Sequence, residues 1–291
     1  MRALQVSSFR ASDLYRSAAR HFSANSRRKS CIVLNLDDDL IDYETSWRYQ
    51  KVLTEHIHRS RKGKEPSPCY VLVVEHPSVF TLGRGGSAEN LKFEVGGKES
   101  ADVIRVERGG EVTWHGPGQI VVYPILDLDN HKRDLHWYTS QLEESVIRLL
   151  KEEYSINGGR NDVNTGVWVD NNKIAAVGVT ASRWITMHGM SLNVNPTMKD
   201  FNLIVPCGIT EEGYGVCSLQ QHLSKQKGTI NSTNSDDTMQ VIRLKWIDRL
   251  VSTFEFEDVQ VLNREEGREH VAELLDVYPQ IKAMELKPNQ L

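Results

Sequence analysis

The chain has 291 residues, 39% of them hydrophobic and 25% charged, with a formal net charge of −4. That length buries a substantial core in one large domain or two small ones, and the composition is globular rather than disordered. No stretch approaches the roughly 20 apolar residues of a membrane span, and an acidic chain lacks the basic balance of a phosphate-backbone binder, so neither a membrane span nor nucleic acid is expected.

The charge is unevenly placed. Residues 1–30 carry seven basic side chains and one acid, Asp13, whereas the remainder holds 28 basic against 38 acidic side chains. A basic, Ser- and Ala-rich leader without a continuous apolar run fits an organelle transit peptide better than a secretory signal. Arg20-His21-Phe22-Ser23 resembles a mitochondrial processing site with cleavage after Phe22. The mitochondrial matrix is therefore the preferred address, with the plastid as the alternative. The four cysteines (Cys31, Cys69, Cys207, Cys217) form no CxxC pair or zinc-finger spacing, which suits a thiol-reducing compartment.

In chain order, CIVLNL (31–36) reads as a strand and 40–60 as a helix, with Tyr43, Trp47, Leu53 and Ile57 near helical spacing. CYVLVVE (69–75) is a continuous apolar run, the pattern of a strand buried on both faces. A turn, a short strand and a glycine loop follow in 76–86. Strands are expected at 103–108 and 119–128. Residues 137–154 form the best helix, with Tyr138, Leu142, Val146 and Leu149 on one face. Residues 166–183 read as a hairpin around Asp-Asn-Asn, and 185–195 as a further strand. The polar stretch 225–238 is a linker or long loop. Helices follow at 239–257, capped by Asp236 or Asp237, and at 265–279. Strands that come in pairs rather than alternating with helices predict an α/β fold of the α+β type: a mixed, largely antiparallel sheet with flanking helices. The expected organisation is a leader (1–30), a catalytic domain (31–222), and a linker with a C-terminal helical appendage (223–291).

The stretch RGGEVTWHGPGQIVVYP (108–124) crowds four glycines and a histidine in front of an apolar run, a backbone open to close approach. It is not a phosphate loop. GxxxxGK[ST] is absent, and Val121 stands where GxGxxG needs its third glycine. His115, His188 and Cys207 lack paired-ligand spacing, so no metal site is expected. Cys207, between Pro206 and Gly208, ranks ahead of Cys217, Cys69 and Cys31 as a nucleophile, against the competing reading of a buried, inert thiol. His115, His188 and Lys173 are its candidate activators. Spacing leaves the choice open, and Lys173 by position reads as a solvated strand-edge residue.

RGGEVTWHGPGQIVVYP resembles the signature of lipoyl(octanoyl) transferases. Three more blocks agree in order and spacing: EHPSVFTLGRGG (75–86), NNKIAAVGV…MHGMSLNVN (171–195) and IVPCGI (204–209). The resemblance covers about residues 31–222. It implies the fold of the biotin and lipoate ligase catalytic domain, and transfer of an octanoyl group from acyl carrier protein to a lysine of lipoyl domains. Those acceptors would be 2-oxoacid dehydrogenase E2 subunits and the glycine cleavage H protein. It further implies Cys207 as the nucleophile that becomes a thioester and Lys173 as its acid/base partner. The acyl site would be lined by Arg108, Gly109, Gly110, Glu111, Val112, Thr113, Trp114 and His115, by Ala176, Val177 and Gly178, and by Gly189, Met190 and Ser191. No cofactor is implied, because octanoyl-phosphopantetheine arrives as part of the carrier protein. An ATP-dependent lipoate or octanoate ligase of the same fold is the alternative.

Overall fold

The computed structural model describes residues 29–63, 68–95, 102–226 and 237–286. Most of the leader, with its expected processing site, lies outside them, as do most of the 225–238 loop and residues 287–291.

The main sheet begins with β1 (Ser30–Leu40), which is followed by helix α1 (Tyr43–Gly63) and then β2 (Cys69–Glu75). A small second sheet takes β3 (Val79–Leu82), β4 (Val103–Arg105) and β5 (Val112–His115). The chain re-enters the main sheet with β6 (Gln119–Ile125), makes helix α2 (Leu135–Tyr154), and adds β7 (Gly166–Val169), β8 (Asn172–Ser182) and β9 (Ile185–Asn193). Short β10 (Gly215–Val216), helices α3 (Leu219–Gln226) and α4 (Met239–Thr253), strand β11 (Asp258–Leu262), α5 (Arg264–Val277) and α6 (Pro279–Lys282) complete it.

The eight-stranded sheet runs β10-β8-β9-β6-β2-β1-β11, with β7 also paired to β8. Antiparallel pairings join β2 to β6, β6 to β9, β9 to β8 and β8 to β7, while β1 is parallel to both β2 and β11. The sheet is thus mixed and largely antiparallel, as the paired strands implied.

Strand periodicity assigns the two faces. Cys69, Val71 and Val73 of β2 join a core with Leu142, Val146 and Leu149 of α2 and Ile242, Trp246 and Leu250 of α4. The alternate residues Tyr70, Leu72 and Val74 join Trp47, Leu53 and Ile57 of α1 and Val271 of α5. Helices on both faces explain why β2 is continuously apolar.

Helix boundaries follow their caps. Asp134 starts α2 by accepting from the backbone N–H groups of His136 (2.9 Å) and Trp137 (3.1 Å), and Ser155 ends it in a left-handed conformation with φ 54°. Thr238, not Asp237, caps α4, and the other candidate cap, Asp236, lies outside the described residues. Asp237 instead accepts from the Tyr154 hydroxyl (2.9 Å) and from Lys245 Nζ (2.6 Å). That helix stops at Thr253, short of 257, because Glu255 turns left-handed (φ 56°) and the Phe256 N–H closes back onto the Val251 carbonyl. Beyond it lies β11, a strand not expected from the sequence pattern. Its five residues pair with β1 in register, Val33 opposite Val261. The chain after residue 223 therefore contributes a sheet strand and the buried Trp246 to the common core.

Candidate active site

The concave face where β8, β9 and the 108–115 segment meet encloses a cavity of about 360 Å³. Each element delivers its side chains for a local reason. Along β5 the alternation sends Thr113 and His115 into the cavity. Val112 and Trp114 point the other way, into a satellite core with Phe80, Leu82, Phe201 and Ile204. These two expected acyl-site residues are therefore structural. The motif's glycines divide similarly. Gly109 and Gly110 line the cavity, but a Cβ on Gly116 would lie 2.1 Å from the Trp114 ring, so that glycine is demanded by packing.

The other expected residues converge. Arg108, Gly109, Gly110, Glu111, Thr113, His115, Lys173, Ala176, Val177, Gly178, Gly189, Met190, Ser191 and Cys207 all line the cavity. So do residues that motif reading did not assign to it, among them Tyr43, Tyr123, Thr139, Asn164, Thr165 and Val179. His188, weighed only as an activator or metal ligand, joins them. It lies one residue before the 189–191 span, the nearest sequence signal for it.

Lys173 is not a solvated edge residue: it is 3% exposed. Its Nζ donates to Asn164 Oδ1 and to the Thr165 carbonyl (3.1 Å), and lies 5.0 Å from the centre of the Trp168 ring. Burial pulls its pKa below the usual lysine value, opposed by the adjoining Cys207 and by Glu143. Cys207 is half-buried, whereas Cys31, Cys69 and Cys217 are buried. Burial pushes the Cys69 and Cys217 thiols up to about 12, which leaves them inert. Cys207 itself sits in the left-handed region (φ 56°, ψ 18°) within the short turn Pro206–Gly208. A non-glycine residue there costs about 1–3 kcal/mol, a strain that collects at functional sites.

Arg108 is 7% exposed and donates to the Thr81 carbonyl (2.7 Å), the Thr81 hydroxyl (2.9 Å) and the Gly109 carbonyl (2.9 Å). These bonds hold the glycine segment against β3. Burial holds its pKa down.

The tautomer of His115 can be worked out from its partners. Asn193 Nδ2 donates to the Cys217 carbonyl (3.0 Å), so Asn193 Oδ1 is the acceptor for Gln119 Nε2 (2.8 Å). That turns Gln119 Oε1 toward His115 Nδ1 at 2.7 Å, and Nδ1 must carry the proton. Burial, reinforced by nearby His76, holds the His115 pKa well below the usual histidine value, so the ring is neutral. His76 behaves alike. It bonds the Ile41 carbonyl (2.6 Å) and the Tyr123 hydroxyl (2.8 Å), and burial lowers its pKa to about 4. His115, His188 and Cys207 share the cavity, yet among the described residues no group of three or more His, Cys, Asp or Glu side chains is arranged to hold a metal ion.

This constellation of one half-buried thiol and one buried amine of lowered pKa on the wall of one cavity suits acyl transfer through a thiol. Residues 42–242 match the family model for the lipoyl protein ligase A/B catalytic domain. The chain is 49% identical to the octanoyltransferase of Nostoc punctiforme over 187 residues, which cover 64% of this chain and 77% of that one. This chain belongs to the octanoyltransferases of that family. It is accordingly an acyltransferase. The Flavobacterium johnsoniae octanoyltransferase is 42% identical over 231 residues, covering 75% and 94% of the two chains. The chloroplastic octanoyltransferase LIP2p2 of Arabidopsis thaliana is 48% identical over 188 residues, which span 64% of this chain and 66% of that one. Among solved structures, lipoate-protein ligase A bound with ATP superposes with a TM-score of 0.60 at 15% identity, covering 85% and 94% of the chains. The Thermoplasma acidophilum bipartite lipoate protein ligase, solved with its E2 lipoyl domain, gives 0.53 at 13% identity, covering 86% and 92%. At such identities they establish the fold alone.

Proposed function

We propose that this octanoyltransferase takes an octanoyl group from the phosphopantetheine thioester of acyl carrier protein onto Cys207, then passes it to a lysine of a lipoyl domain. The observation that carries this reading is the meeting of the Cys207 thiol and the buried Lys173 amine on the wall of the cavity. The Cys207 thiolate attacks the thioester carbonyl, and the tetrahedral adduct expels the phosphopantetheine thiolate, which takes a proton from the Lys173 ammonium. The acceptor lysine, as a neutral amine, then attacks the Cys207 thioester. Lys173, now an amine, accepts its proton, and the Cys207 thiolate leaves as the amide forms. Exchange of one thioester for another preserves the acyl activation, so no nucleotide enters. Val121, Val177, Val179 and Met190 supply the apolar wall that an eight-carbon chain needs.

Incubation with octanoyl acyl carrier protein should add one octanoyl mass to Cys207, and Cys207→Ala should abolish both adduct and transfer. Full transfer by Cys207→Ala would defeat the mechanism. Strict dependence on ATP with free octanoate would establish a ligase instead. The chloroplastic relative supports a plastid address over the mitochondrial matrix. A fluorescent fusion of residues 1–30 entering mitochondria alone would reverse that.

A further inference from the structure

We infer that Asn164 is a positioning residue: its amide couples Lys173 to the Cys207 turn and so governs the ionisation of the thiol. This rests on the reading of Cys207 and Lys173 as the reacting pair. Asn164 lies in the loop between α2 and β7 and carries no motif signal. Its Oδ1 accepts from Lys173 Nζ, and its Nδ2 donates to the Cys207 carbonyl at 3.2 Å. An ammonium only donates and a carbonyl only accepts, so the two ends of the amide are chemically distinguished. Aspartate would lose the donor and a hydrophobic residue both groups.

The loop that presents Asn164 is anchored from three sides. Its own carbonyl accepts from Trp168 Nε1 at 3.1 Å, at the edge of the ring that Lys173 Nζ overlies. The Gly166 N–H donates to Glu143 Oε1 at 2.8 Å, and the other oxygen of that buried carboxylate takes Arg160 Nε at 2.9 Å. Gly166 has φ +145° and presses its backbone on the lysine stem: a Cβ there would lie 3.2 Å from Lys173 Cε and 2.5 Å from the Ala175 carbonyl. The ammonium is thus held by a rigid acceptor pair, Asn164 Oδ1 and Thr165 O. The same amide steadies the left-handed Cys207 through its carbonyl.

The chemistry follows directly. An acceptor on Nζ favours the ammonium against burial, and a nearby ammonium favours the thiolate. Removing the acceptor releases Lys173 toward its neutral form and weakens the positive field on the thiol, to which Arg108 also contributes and which the Glu111 carboxylate beside Gly208 opposes.

The test is the pH dependence of Cys207 alkylation by iodoacetamide, followed by peptide mass spectrometry on the full-length protein. Asn164→Ala should move the midpoint up by about one pH unit, about tenfold slower alkylation below it, with Tm within about 3 °C of the parent. Asn164→Leu, which fills the loop's volume, gives the same reading if the alanine variant is unstable. In a Lys173→Met background, where the midpoint is already raised, Asn164→Ala should add no further shift. An unmoved midpoint, or an equal shift without Lys173, overturns the inference. The assay contains no acyl donor. A wild-type protein that takes no octanoyl adduct yet shows the Asn164 shift would therefore sink the proposed reaction and leave the coupling standing.

Discussion

Lys173→Met separates the chemistry of the site from its architecture. Methionine keeps an unbranched stem against Trp168 and Gly166 and removes only the charged end. For stability, the ammonium's bonds to Asn164 and Thr165 and its place over Trp168 do not fully repay its desolvation, since its pKa lies below the usual lysine value. Methionine relieves that desolvation and leaves two acceptors short of a partner, about 1 kcal/mol each. The opposing effects nearly cancel, so the net change is about 1 kcal/mol in either direction, or about 2–4 °C in Tm. For chemistry the loss is one-sided. Two unit charges about 4 Å apart in an effective dielectric of about 20 attract by about 4 kcal/mol. Water in the open cavity leaves about half of that, so about 30-fold less thiolate forms near neutral pH. Loss of the proton carrier adds about a hundredfold or more. Octanoyl loading of Cys207 at neutral pH, read by intact mass against time, should therefore slow by about a thousandfold or more while Tm moves by no more than about 4 °C. Loading within about fivefold of the parent, with the same Tm, would refute the assignment of Lys173 as proton carrier.

Two further expectations concern buried side chains around the site. His76 and His115 have folded-state pKa values below the free value of 6.5, so the unfolded chain binds more protons, and stability present above about pH 6.5 is lost as pH falls. For His76, lowered to about 4, this is about 3 kcal/mol between pH 7 and pH 4. Thermal melts across that window should show His76→Gln with a flatter slope than the parent, and an identical slope would contradict it. Trp114→Ala removes a side chain 1% exposed that stacks edge-on with Phe201 at 5.2 Å and donates to the Ser78 hydroxyl at 2.9 Å. It should cost about 3–5 kcal/mol in urea or thermal unfolding. Unchanged stability with an altered acyl-length preference would return Trp114 to the cavity wall.

What could be read from the sequence was whatever depends on period and neighbours. The apolar run of β2, the spacing of Tyr138, Leu142, Val146 and Leu149 on α2, and the Asp-Asn-Asn turn of the β7–β8 hairpin are local patterns, and local patterns survive translation into structure. The resemblance picked out Cys207, Lys173 and most of the cavity lining in the same way, as short collinear blocks. Tertiary structure decided what no local pattern encodes. Strand pleat sent Thr113 and His115 one way and Val112 and Trp114 the other, although all four stand in one motif. Burial turned Lys173 from a strand-edge charge into an amine of lowered pKa, because the loop ahead of β7 folds over it. The proton on His115 was placed by Gln119 and Asn193, each on a different strand from the histidine. Asn164 took its position from Glu143 on α2, and β11 found its partner more than two hundred residues earlier in the chain. A side chain's chemistry depends on what surrounds it. For these residues the surroundings come from distant parts of the chain, and only the folded structure brings them together.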